Sequence, residues 1–490
     1  GYVNPRHQPL TTAYGHLTTD KKRMNNAKNN FLRPLGSTGL HCFPLGFGCY
    51  RIADGNAEHE SALRLYLDRG GNLIDTSANY TDGQSEILVG KVLKNYSREK
   101  VIVVTKAGYI QGQNMRLAQA RSFPEVVKYS EDLWHCIHPE FLETQVSLSA
   151  QRMQLEMIDI FLLHNPEYFL SHRSHDRSLL EEDHREFYRR IGQAFRFLEK
   201  QVAERKISWY GISSNNYGLP LLDQTMTSVH RCLEAARNIS SSHHFRVVQL
   251  PLNLYESGGA LESNNQGVSV LDYCHNQGLG VLINRPLNAF YGNQMIRLAD
   301  FSGPGESPPG KQELKAVLQP LRALEESLLE QLGMPLLQGG RSGLADLLEK
   351  LLPQVRSAGH WEQIVGRHVI WPIQQWVGAC RQKYQGNLTW ENWLEQFVRL
   401  VNPLLFEEIE RYLRAQQQSE SDRVRKRLEQ CGYPATSHSL SQIAMSVLLN
   451  LQGVSCVLNG MRRPAYVEDA LGTVHLPKVN ALSILKEFAA

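Results

Sequence analysis

Four side chains that can carry acid–base chemistry stand at or near the ends of short apolar runs. Asp75 ends the run at 72–75 and Tyr80 follows it by five residues, while Lys106 and His164 end two later runs. Burying a carboxylate at a strand end, with a phenol close behind, is costly for stability alone and is typical of a functional site. The candidate catalytic set is therefore Asp75, Tyr80, Lys106 and His164.

These residues belong to a regular alternation of short apolar strands and helices. The run at 101–106 is continuously β-branched, which is typical of a strand buried on both faces. Regular alternation predicts an α/β fold with a parallel sheet, and eight repeats predict a closed (β/α)8 TIM barrel. The predicted strands begin at Leu45 and then cover 72–75, 101–106, 158–164, 209–214, 247–252, 280–284 and 454–458.

Helices, loops and a hairpin complete the predicted barrel. Two short strands around a glycine-flanked turn at 31–43 predict an N-terminal β-hairpin that caps the bottom of the barrel. The segments 107–137 and 165–185 show no clear period and are predicted to be loops. The predicted helices cover 57–68, 85–93, 139–153, 186–206, 219–237, 268–277, 438–450 and 466–471.

The predicted barrel brings the candidate catalytic residues together. In this fold the active site lies at the C-terminal ends of the strands. Asp75, Lys106 and His164 end the second, third and fourth strands, and Tyr80 follows the second. We therefore expect the four side chains to meet at one end of the barrel.

Composition argues against several classes of function. The 490 residues carry a formal net charge of +3, which gives no electrostatic case for nucleic acid. No apolar run approaches the roughly 18 residues of a membrane helix, and residues 1–30 read as a polar tail without a signal peptide. The histidines lack metal-binding spacing, so no metal is predicted. Eight cysteines without a CxxC pair indicate reduced thiols and a cytoplasmic location.

An insertion at 303–435 interrupts the barrel between the seventh strand and its helix. It opens with the Gly- and Pro-rich stretch 303–310, a linker composition, and continues with predicted helices at 311–332, 341–356, 360–384 and 389–417. Five of the seven tryptophans lie in this inserted helical subdomain. They could pack in its own core or against the barrel, line the mouth of the active site, or form an interface with a partner.

The chain resembles the aldo-keto reductase family over 31–302 and 436–490, so residues 1–30 and 303–435 lie outside the resemblance. The motifs that carry it are GGNLIDTSANY, GQSEILVG, VIVVTKAGY, SLSAQRMQLEMIDIFLLHN, YGISSNN and LNGMRRPAYVEDAL. The resemblance implies that Asp75, Tyr80, Lys106 and His164 form the family's catalytic tetrad.

The implied reaction is transfer of hydride to a carbonyl, whose oxygen becomes an alkoxide and needs a proton. Tyr80 would be the general acid or base, and a cation nearby would lower its pKa from about 10. Lys106, held by the Asp75 carboxylate, would be that cation. His164 would hydrogen-bond the carbonyl oxygen and orient it.

The resemblance also implies a nicotinamide cofactor across the barrel mouth. Arg462 matches the position of the 2′-phosphate contact, and two arginines at a helix N-terminus suit an anion, which favours NADP(H) over NAD(H). Asn284 stands where the family usually has an aromatic residue stacked on the nicotinamide. The implied cofactor contacts are Gly48, Cys49, Tyr50, Asp75, Ser214, Asn215, Gln249, Asn284, Arg285, Leu287, Gly460, Arg462, Tyr466 and Asp469.

The resulting hypothesis is an NADP(H)-dependent oxidoreductase that reduces aldehyde or ketone carbonyls to alcohols, or catalyses the reverse. The alternative is a cofactor-binding regulatory or scaffold subunit that docks a partner through 303–435. The expected partners are a small carbonyl or alcohol substrate, no nucleic acid, no membrane, and, through 303–435, a protein partner or a second copy of the chain. The loops that choose the substrate resemble the family least, so the sequence does not identify it.

Overall fold

The computed structural model describes residues 31–291, 294–301, 314–333, 343–355, 357–434 and 437–489. The chain divides into two compact units. One takes in the chain up to Pro286 together with Met445–Ala489, and the other spans Leu287–Ala444. The predicted tail at 1–30, the predicted linker at 303–310 and the predicted domain boundaries at 303 and 435 lie outside the described residues, so those boundaries stay a prediction.

The first unit contains the predicted closed barrel of eight parallel strands. Each strand pairs with its neighbours in chain order, and the last strand closes the ring against the first through Gly460 opposite Gly48. The strands are β1 Leu45–Gly48, β2 Leu73–Asp75, β3 Ile102–Ala107, β4 Ile158–His164, β5 Ile207–Ser213, β6 Phe245–Pro251, β7 Gly280–Asn284 and β8 Cys456–Gly460.

A helix follows each strand, as the alternation predicts. Helix starts carry clear capping signals: Asn56 accepts from two backbone N–H groups at the first helix, and Pro139 occupies the first turn of the third. The helices are α1 Ala57–Asp68, α2 Gln84–Leu93, α3 Pro139–Met153, α4 Glu181–Ala203, α5 Val229–Arg237, α6 Val270–Asn276, α7 Leu440–Leu449 and α8 Pro464–Gly472, with Ala481–Ala489 at the end of the described chain.

The N-terminal hairpin lies at the bottom of the barrel, as predicted. Its strands Arg33–Pro34 and His41–Cys42 pair antiparallel, and Leu35 and Cys42 join the buried cluster of barrel side chains. Ser37 donates both its N–H and its hydroxyl to Gly278 O, just before β7. The hairpin therefore closes the N-terminal ends of the strands, opposite to the candidate catalytic residues.

Three segments differ from the sequence-based prediction. The predicted loop at 107–137 contains a helix, Gly112–Ala120, and a three-stranded antiparallel sheet. The predicted loop at 165–185 contains the helix Tyr168–Ser174, and the predicted helix at 219–237 begins only at Val229. Two-residue strands and two-turn helices are too short to show a period, which explains the first two differences. The sheet consists of Tyr109–Ile110, Trp134–His135 in the middle, and Val127–Lys128.

The second unit opens with an unpredicted hairpin, Asn288–Tyr291 with Gln294–Arg297, and is otherwise helical. Four of its five tryptophans are buried in a shared core, and Trp361 and Trp393 donate their indole N–H groups to Leu405 O and Leu324 O. Core packing therefore explains these four, while Trp371 is 60% exposed. The helices are Leu314–Leu332, Leu344–Leu351, Ala358–Val365, Trp371–Lys383, Leu388–Pro403 and Ile409–Gln430, with π-helical turns at Gly366–Ile370 and Leu404–Glu408.

Gly90, in α2, lies against the C-terminal end of α3. A Cβ at this position would lie 2.4 Å from the backbone oxygen of Met153. We expect Gly90→Ala to lower the free energy of unfolding by about 1–3 kcal/mol, because α3 must shift. The matched control is Gly192→Ala in α4, where nothing lies within 4 Å. It should raise stability by about 0.5–1 kcal/mol, since alanine favours helix. Urea denaturation measures both, and equal effects would contradict this close packing.

Candidate functional site

A buried ion pair lies at the centre of the site. Lys106, in β3, has no exposed surface, and its Nζ lies 2.8 Å from Asp75 Oδ2 at the end of β2. Lys106 Nζ also donates to Thr76 O at 2.7 Å. The other carboxylate oxygen, Asp75 Oδ1, accepts from Gln249 Nε2 of β6 at 2.8 Å. A buried charge pair is stable only with such additional hydrogen bonds, so these contacts fix both charged groups.

Tyr80 follows β2 on a strained turn. The next two residues, Thr81 and Asp82, have left-handed φ angles of 46° and 54°, which cost about 1–3 kcal/mol each for non-glycine residues. Two contacts offset this cost: Thr81 Oγ1 donates to Ile52 O at 2.7 Å, and Asp82 Oδ1 accepts from Gln113 N at 2.9 Å. The turn leaves the Tyr80 ring half-buried, with its centroid 4.9 Å from Lys106 Nζ.

The pKa of Tyr80 moves in the direction opposite to the expected one. Burial raises the pKa of this phenol well above its usual value, and the Asp75 carboxylate adds to the rise. The net lowering expected from Lys106 is not seen, because burial and the Asp75 carboxylate both penalise the phenolate. Tyr80 is therefore a protonated phenol near neutral pH, the form that can donate.

His164 is the last residue of β4, and both its ring and its backbone carbonyl make hydrogen-bond contacts. Its Nδ1 lies 3.0 Å from Ser77 Oγ, and its carbonyl oxygen accepts from His135 Nε2 at 2.7 Å. The ring meets Tyr109 edge to face at 4.7 Å between centroids and Tyr80 at 5.9 Å. Burial lowers the pKa of His164 well below its usual value, and the Lys106 charge acts in the same direction. His164 is therefore neutral.

The side chains matched to a carboxamide contact are arranged differently from the sequence expectation. Gln249 joins the network, with Oε1 accepting from Ser213 Oγ at 2.9 Å and from Asn284 Nδ2 at 3.3 Å. Ser214 is buried and donates to Thr227 Oγ1, whereas Asn215 is exposed. Ser213, one position earlier than the residues named from the sequence, is the serine that contacts Gln249. Its place as the last residue of β5 is the signal that could have identified it.

The remaining matched residues lie around β1, β7 and β8. Cys49 N donates to Asp75 O at 2.9 Å, and the 62% exposed Tyr50 meets Tyr80 edge to face at 5.2 Å. Arg285 pairs with Glu256 at 2.8 Å, and Leu287 belongs to the second unit. Near α8, Gly460 and Tyr466 are exposed, while Arg462 and Asp469 are half-buried.

Aromatic residues from the two segments predicted as loops form a cluster that contacts His164 through Tyr109 and His135. Tyr168 stacks on His135 with centroids 5.4 Å apart and meets Tyr109 and Tyr129 edge to face. Burial lowers the pKa of His135 to about 4, so its ring is neutral and presents Nε2–H to the His164 carbonyl. Sequence reasoning missed these contacts because they join segments without periodicity.

Glu167 is a further residue that the sequence analysis missed. It lies three residues beyond His164 and is buried, and its Oε1 accepts from Asn215 N at 2.7 Å, which joins the segments after β4 and β5. Its Oε2 is buried with no hydrogen-bond partner among the described residues. Burial raises the pKa of this carboxyl to about 7. An acid so close to a strand-ending histidine was the available signal.

No group of His, Cys, Asp and Glu side chains among the described residues could hold a metal ion. Nor is any helix in the described part of the chain both long and apolar enough to cross a membrane.

The model of the Aldo/keto reductase family matches residues 44–315. Among curated proteins, the NADH-specific methylglyoxal reductase of Escherichia coli is 32% identical over 139 residues, which cover 27% of this chain and 40% of that protein. Probable aldo-keto reductase 1 of soybean (Glycine max) is 23% identical over 289 residues, covering 58% of this chain and 64% of that protein. Each match spans less than two thirds of the relative's length.

A solved structure in the same family also matches. The holo form of an aldo-keto reductase from Bacillus halodurans aligns with 94% of this chain and 97% of its own, at 16% identity and a TM-score of 0.47.

Glu167 allows a test of the site's electrostatics through stability. The pKa of this acid is about 7 when folded against an ordinary 4.5, so the folded state holds the proton longer. The contribution of Glu167 to the free energy of unfolding is therefore fully present below about pH 4.5 and is lost as the pH rises from about 4.5 through 7. We expect Glu167→Gln to become more stable relative to the parent over this range, by up to about 3 kcal/mol. Thermal unfolding at pH 5 and pH 8 measures the difference.

The control for this experiment is Glu60→Gln. Glu60 lies at the surface beside Arg64 and Lys91, which lower its pKa. Its variant should not gain stability between pH 5 and pH 8. A Glu167→Gln difference that stays constant across this range would contradict the raised pKa.

Proposed function

We propose, because the chain belongs to the aldo/keto reductase family, that it is an NADP(H)-dependent oxidoreductase that reduces aldehyde or ketone carbonyls to alcohols, or catalyses the reverse. One observation carries the proposal: an ion pair, a neutral histidine and a protonated tyrosine meet at the C-terminal ends of neighbouring barrel strands. Positioned groups of this kind suit proton transfer to an oxygen that gains negative charge. The members of this set are Asp75, Lys106, His164 and Tyr80.

The residues at the barrel mouth fit a nicotinamide cofactor. Asn284 Oδ1 is buried with no hydrogen-bond partner among the described residues, although Asn284 Nδ2 is already bonded to Gln249. A buried acceptor of this kind needs a donor, and an amide N–H is one. We assign the carboxamide to Gln249 and Asn284, and we include Ser214 and Asn215 because they match the family's positions. When bound, the nicotinamide supplies or accepts the hydride.

The other assigned cofactor contacts follow the family pattern. Gly48, Cys49, Tyr50 and Asp75 would line the nicotinamide end of the site. Gly460, Tyr466 and Asp469 would lie near the adenosine. Arg285 and Leu287 lie one and three residues after Asn284 and complete the proposed set.

Tyr80 is the proposed proton donor. In the direction of reduction, its hydroxyl proton moves to the substrate oxygen as negative charge develops there, and the phenolate that remains regains a proton from solvent. The Lys106 ammonium, 4.9 Å from the ring centroid, stabilises that phenolate. Burial raises the pKa of Tyr80, so the phenol is protonated at neutral pH. It gives up the proton only when negative charge develops on the substrate oxygen.

His164 is the proposed orienting group for the substrate oxygen. Its ring lies edge to face with Tyr80, and its neutral state avoids a second positive charge beside Lys106. A neutral imidazole can hydrogen-bond an oxygen without adding to the charge of the site.

Tyr80→Phe tests the proposal directly. It removes the donated proton and keeps the ring, so NADPH binding should stay within about twofold while turnover of aldehydes and ketones falls by about 10²-fold or more. Fluorescence titration measures binding, and absorbance of NADPH during turnover measures rate. The matched control is Tyr96→Phe, which removes a partly exposed hydroxyl bonded to Asp68 and should leave both quantities unchanged. Turnover retained in Tyr80→Phe would overturn the proton donor, and absence of binding to NADPH and NADH would overturn the cofactor.

The preference for NADP(H) rests on Arg462. One relative is named NADH-specific, so family membership alone leaves the choice open. Among the described residues Arg462 makes no ion pair, whereas its neighbour Arg463 pairs with Glu58 at 3.5 Å. A cation without an acidic partner just before helix α8 opposes the helix dipole unless an anion binds there. A 2′-phosphate is such an anion.

Replacing each arginine separately tests this assignment. Arg462→Gln should weaken NADPH binding by about tenfold to a hundredfold, the worth of a charge-assisted hydrogen bond, and leave NADH binding unchanged. Arg463→Gln, which loses the Glu58 pair instead, should change neither. Fluorescence titrations with both nucleotides measure the four affinities. Equal loss of NADPH affinity in both variants would contradict the assignment to Arg462.

A second candidate is a regulatory or scaffold subunit that binds the cofactor and docks a partner through the helical unit. The observation that favours it is the exposure of Trp371 and Phe406, at 60% and 51%, on that unit. It predicts tight NADPH binding without turnover on a broad carbonyl panel. A cytoplasmic location also stays a proposal, supported by eight cysteines without a CxxC pair.

A further inference from the structure

The turn after Tyr80 runs through three consecutive residues with left-handed backbone angles. Thr81, Asp82 and Gly83 have φ angles of 46°, 54° and 86°. Glycine adopts such angles freely, whereas threonine and aspartate carry a free-energy cost that surrounding contacts must offset. The place of Tyr80 in the site therefore depends on the neighbouring segments that hold this turn.

A helix from the segment after β3 supplies one of these contacts. Asp82 Oδ1 accepts from Gln113 N at 2.9 Å, and Gln113 Nε2 donates to Asp82 O at 2.9 Å. The direction of both bonds is certain, because a backbone N–H can only donate and a backbone carbonyl can only accept. Gln113 is the second residue of the helix Gly112–Ala120, whose own N-cap residue, Gln111, makes no side-chain capping bond. Asp82 therefore caps this helix from a distant part of the chain.

Gly112 gives the Asp82 carboxylate room to reach the helix. It is the first residue of the helix and has a φ of 50°. A Cβ at Gly112 would lie 2.3 Å from Asp82 Oδ1, so the carboxylate occupies the space that a side chain would fill. Glycine satisfies both the backbone angle and the close approach. The start of the helix and the turn after Tyr80 are therefore fitted to each other.

We propose that Asp82 is a positioning residue that docks the helix Gly112–Ala120 onto the Tyr80 turn and so fixes the phenol beside the Lys106 ammonium. The turn has a second anchor, since Thr81 Oγ1 donates to Ile52 O at 2.7 Å. Tyr80 immediately precedes the two anchored residues. Loss of either anchor therefore carries its ring away from the place where its centroid lies 4.9 Å from Lys106 Nζ.

The same segment of chain also reaches His164. Tyr109, three residues before the helix, packs edge to face on the His164 ring with centroids 4.7 Å apart. The segment after β3 thus contacts the Tyr80 turn through Asp82 and the histidine through Tyr109. Loops of this kind choose the substrate in this fold. On the basis of the proposed function, the loop that selects the substrate also sets the two groups that act on its oxygen.

NMR of the full chain with 13C-labelled tyrosine rings tests the docking without nucleotide or substrate. The spectrum of Tyr80→Phe identifies the Tyr80 signals, which depend on the neighbouring Tyr50 and His164 rings. Gly112→Ala changes no residue of the Tyr80 turn, yet its methyl group displaces the Asp82 carboxylate from the helix. We expect it to move the Tyr80 signals. Signals that stay at their parent positions would overturn the proposal.

Gly39→Ala is the matched control. Gly39 has a φ of 77°, so alanine there carries the same kind of backbone strain, but nothing lies within 4 Å of its Cβ position. It belongs to the N-terminal hairpin at the opposite end of the barrel. The Tyr80 signals should stay in place in this variant. Equal movement in Gly39→Ala and Gly112→Ala would show that strained alanines disturb the site in general, which would also overturn the proposal.

Two substitutions of Asp82 separate the contact from the backbone strain. Asp82→Gly relieves the left-handed angle but removes the carboxylate, whereas Asp82→Asn tolerates the angle and keeps an oxygen that accepts from Gln113 N. We expect the Tyr80 signals to move in Asp82→Gly and to stay near their parent positions in Asp82→Asn. Signals that move equally in both variants would contradict a role for the hydrogen-bond acceptor.

Turnover gives a second readout, which rests on the proposed function. Asp82→Gly should lower kcat for carbonyl reduction by about tenfold, because the phenol is misplaced, while NADPH affinity stays within about twofold. Asp82→Asn should keep kcat within about threefold of the parent. An unchanged kcat in Asp82→Gly, or a loss confined to NADPH affinity, would overturn the positioning role. If the parent chain reduces no carbonyl, the proposed function fails, and the NMR result alone decides whether the helix docks Tyr80.

Discussion

The ion pair between Lys106 and Asp75 is the constraint on which the rest of the site depends. Placing a lysine with no exposed surface inside a barrel costs several kcal/mol of desolvation, and losing one partner of such a pair costs about 3–5 kcal/mol. The carboxylate and Thr76 O hold the ammonium, and Gln249 holds the carboxylate. These contacts tie β2, β3 and β6 together. The buried charge therefore sets the positions of the groups around it as well as their proton affinities.

Much of the fold could be predicted from the sequence because the barrel repeats a simple physical pattern. Parallel strands buried on both faces read as nearly continuous apolar runs, so polar side chains such as Asp75 and His164 stand out at their ends. The fold then places those ends on one face, which is why the candidate set could be named without coordinates. The bounds of β4, β7 and α3 agree with the prediction to the residue.

The remaining features depend on contacts that leave no pattern in the chain. Ser77, Ser213 and Glu167 are ordinary residues until the fold brings His164, Gln249 and Asn215 within hydrogen-bond distance. The pKa of Tyr80 is raised by burial first and by the Asp75 carboxylate second, and sequence alone shows the carboxylate but not the burial. The short strands at 109–135 lack the length to display alternation.

The insertion separates the two strands that close the ring by a long stretch of chain. β8 begins 172 positions after β7 ends, yet it must fill the gap between β7 and β1. At a synthesis rate of about 5–20 residues per second, the ribosome needs roughly ten to thirty seconds to produce that stretch. During this time seven strands exist with two open edges, and open edges are templates for pairing with other chains. The nascent barrel therefore exposes two unpaired strand edges until the eighth strand emerges.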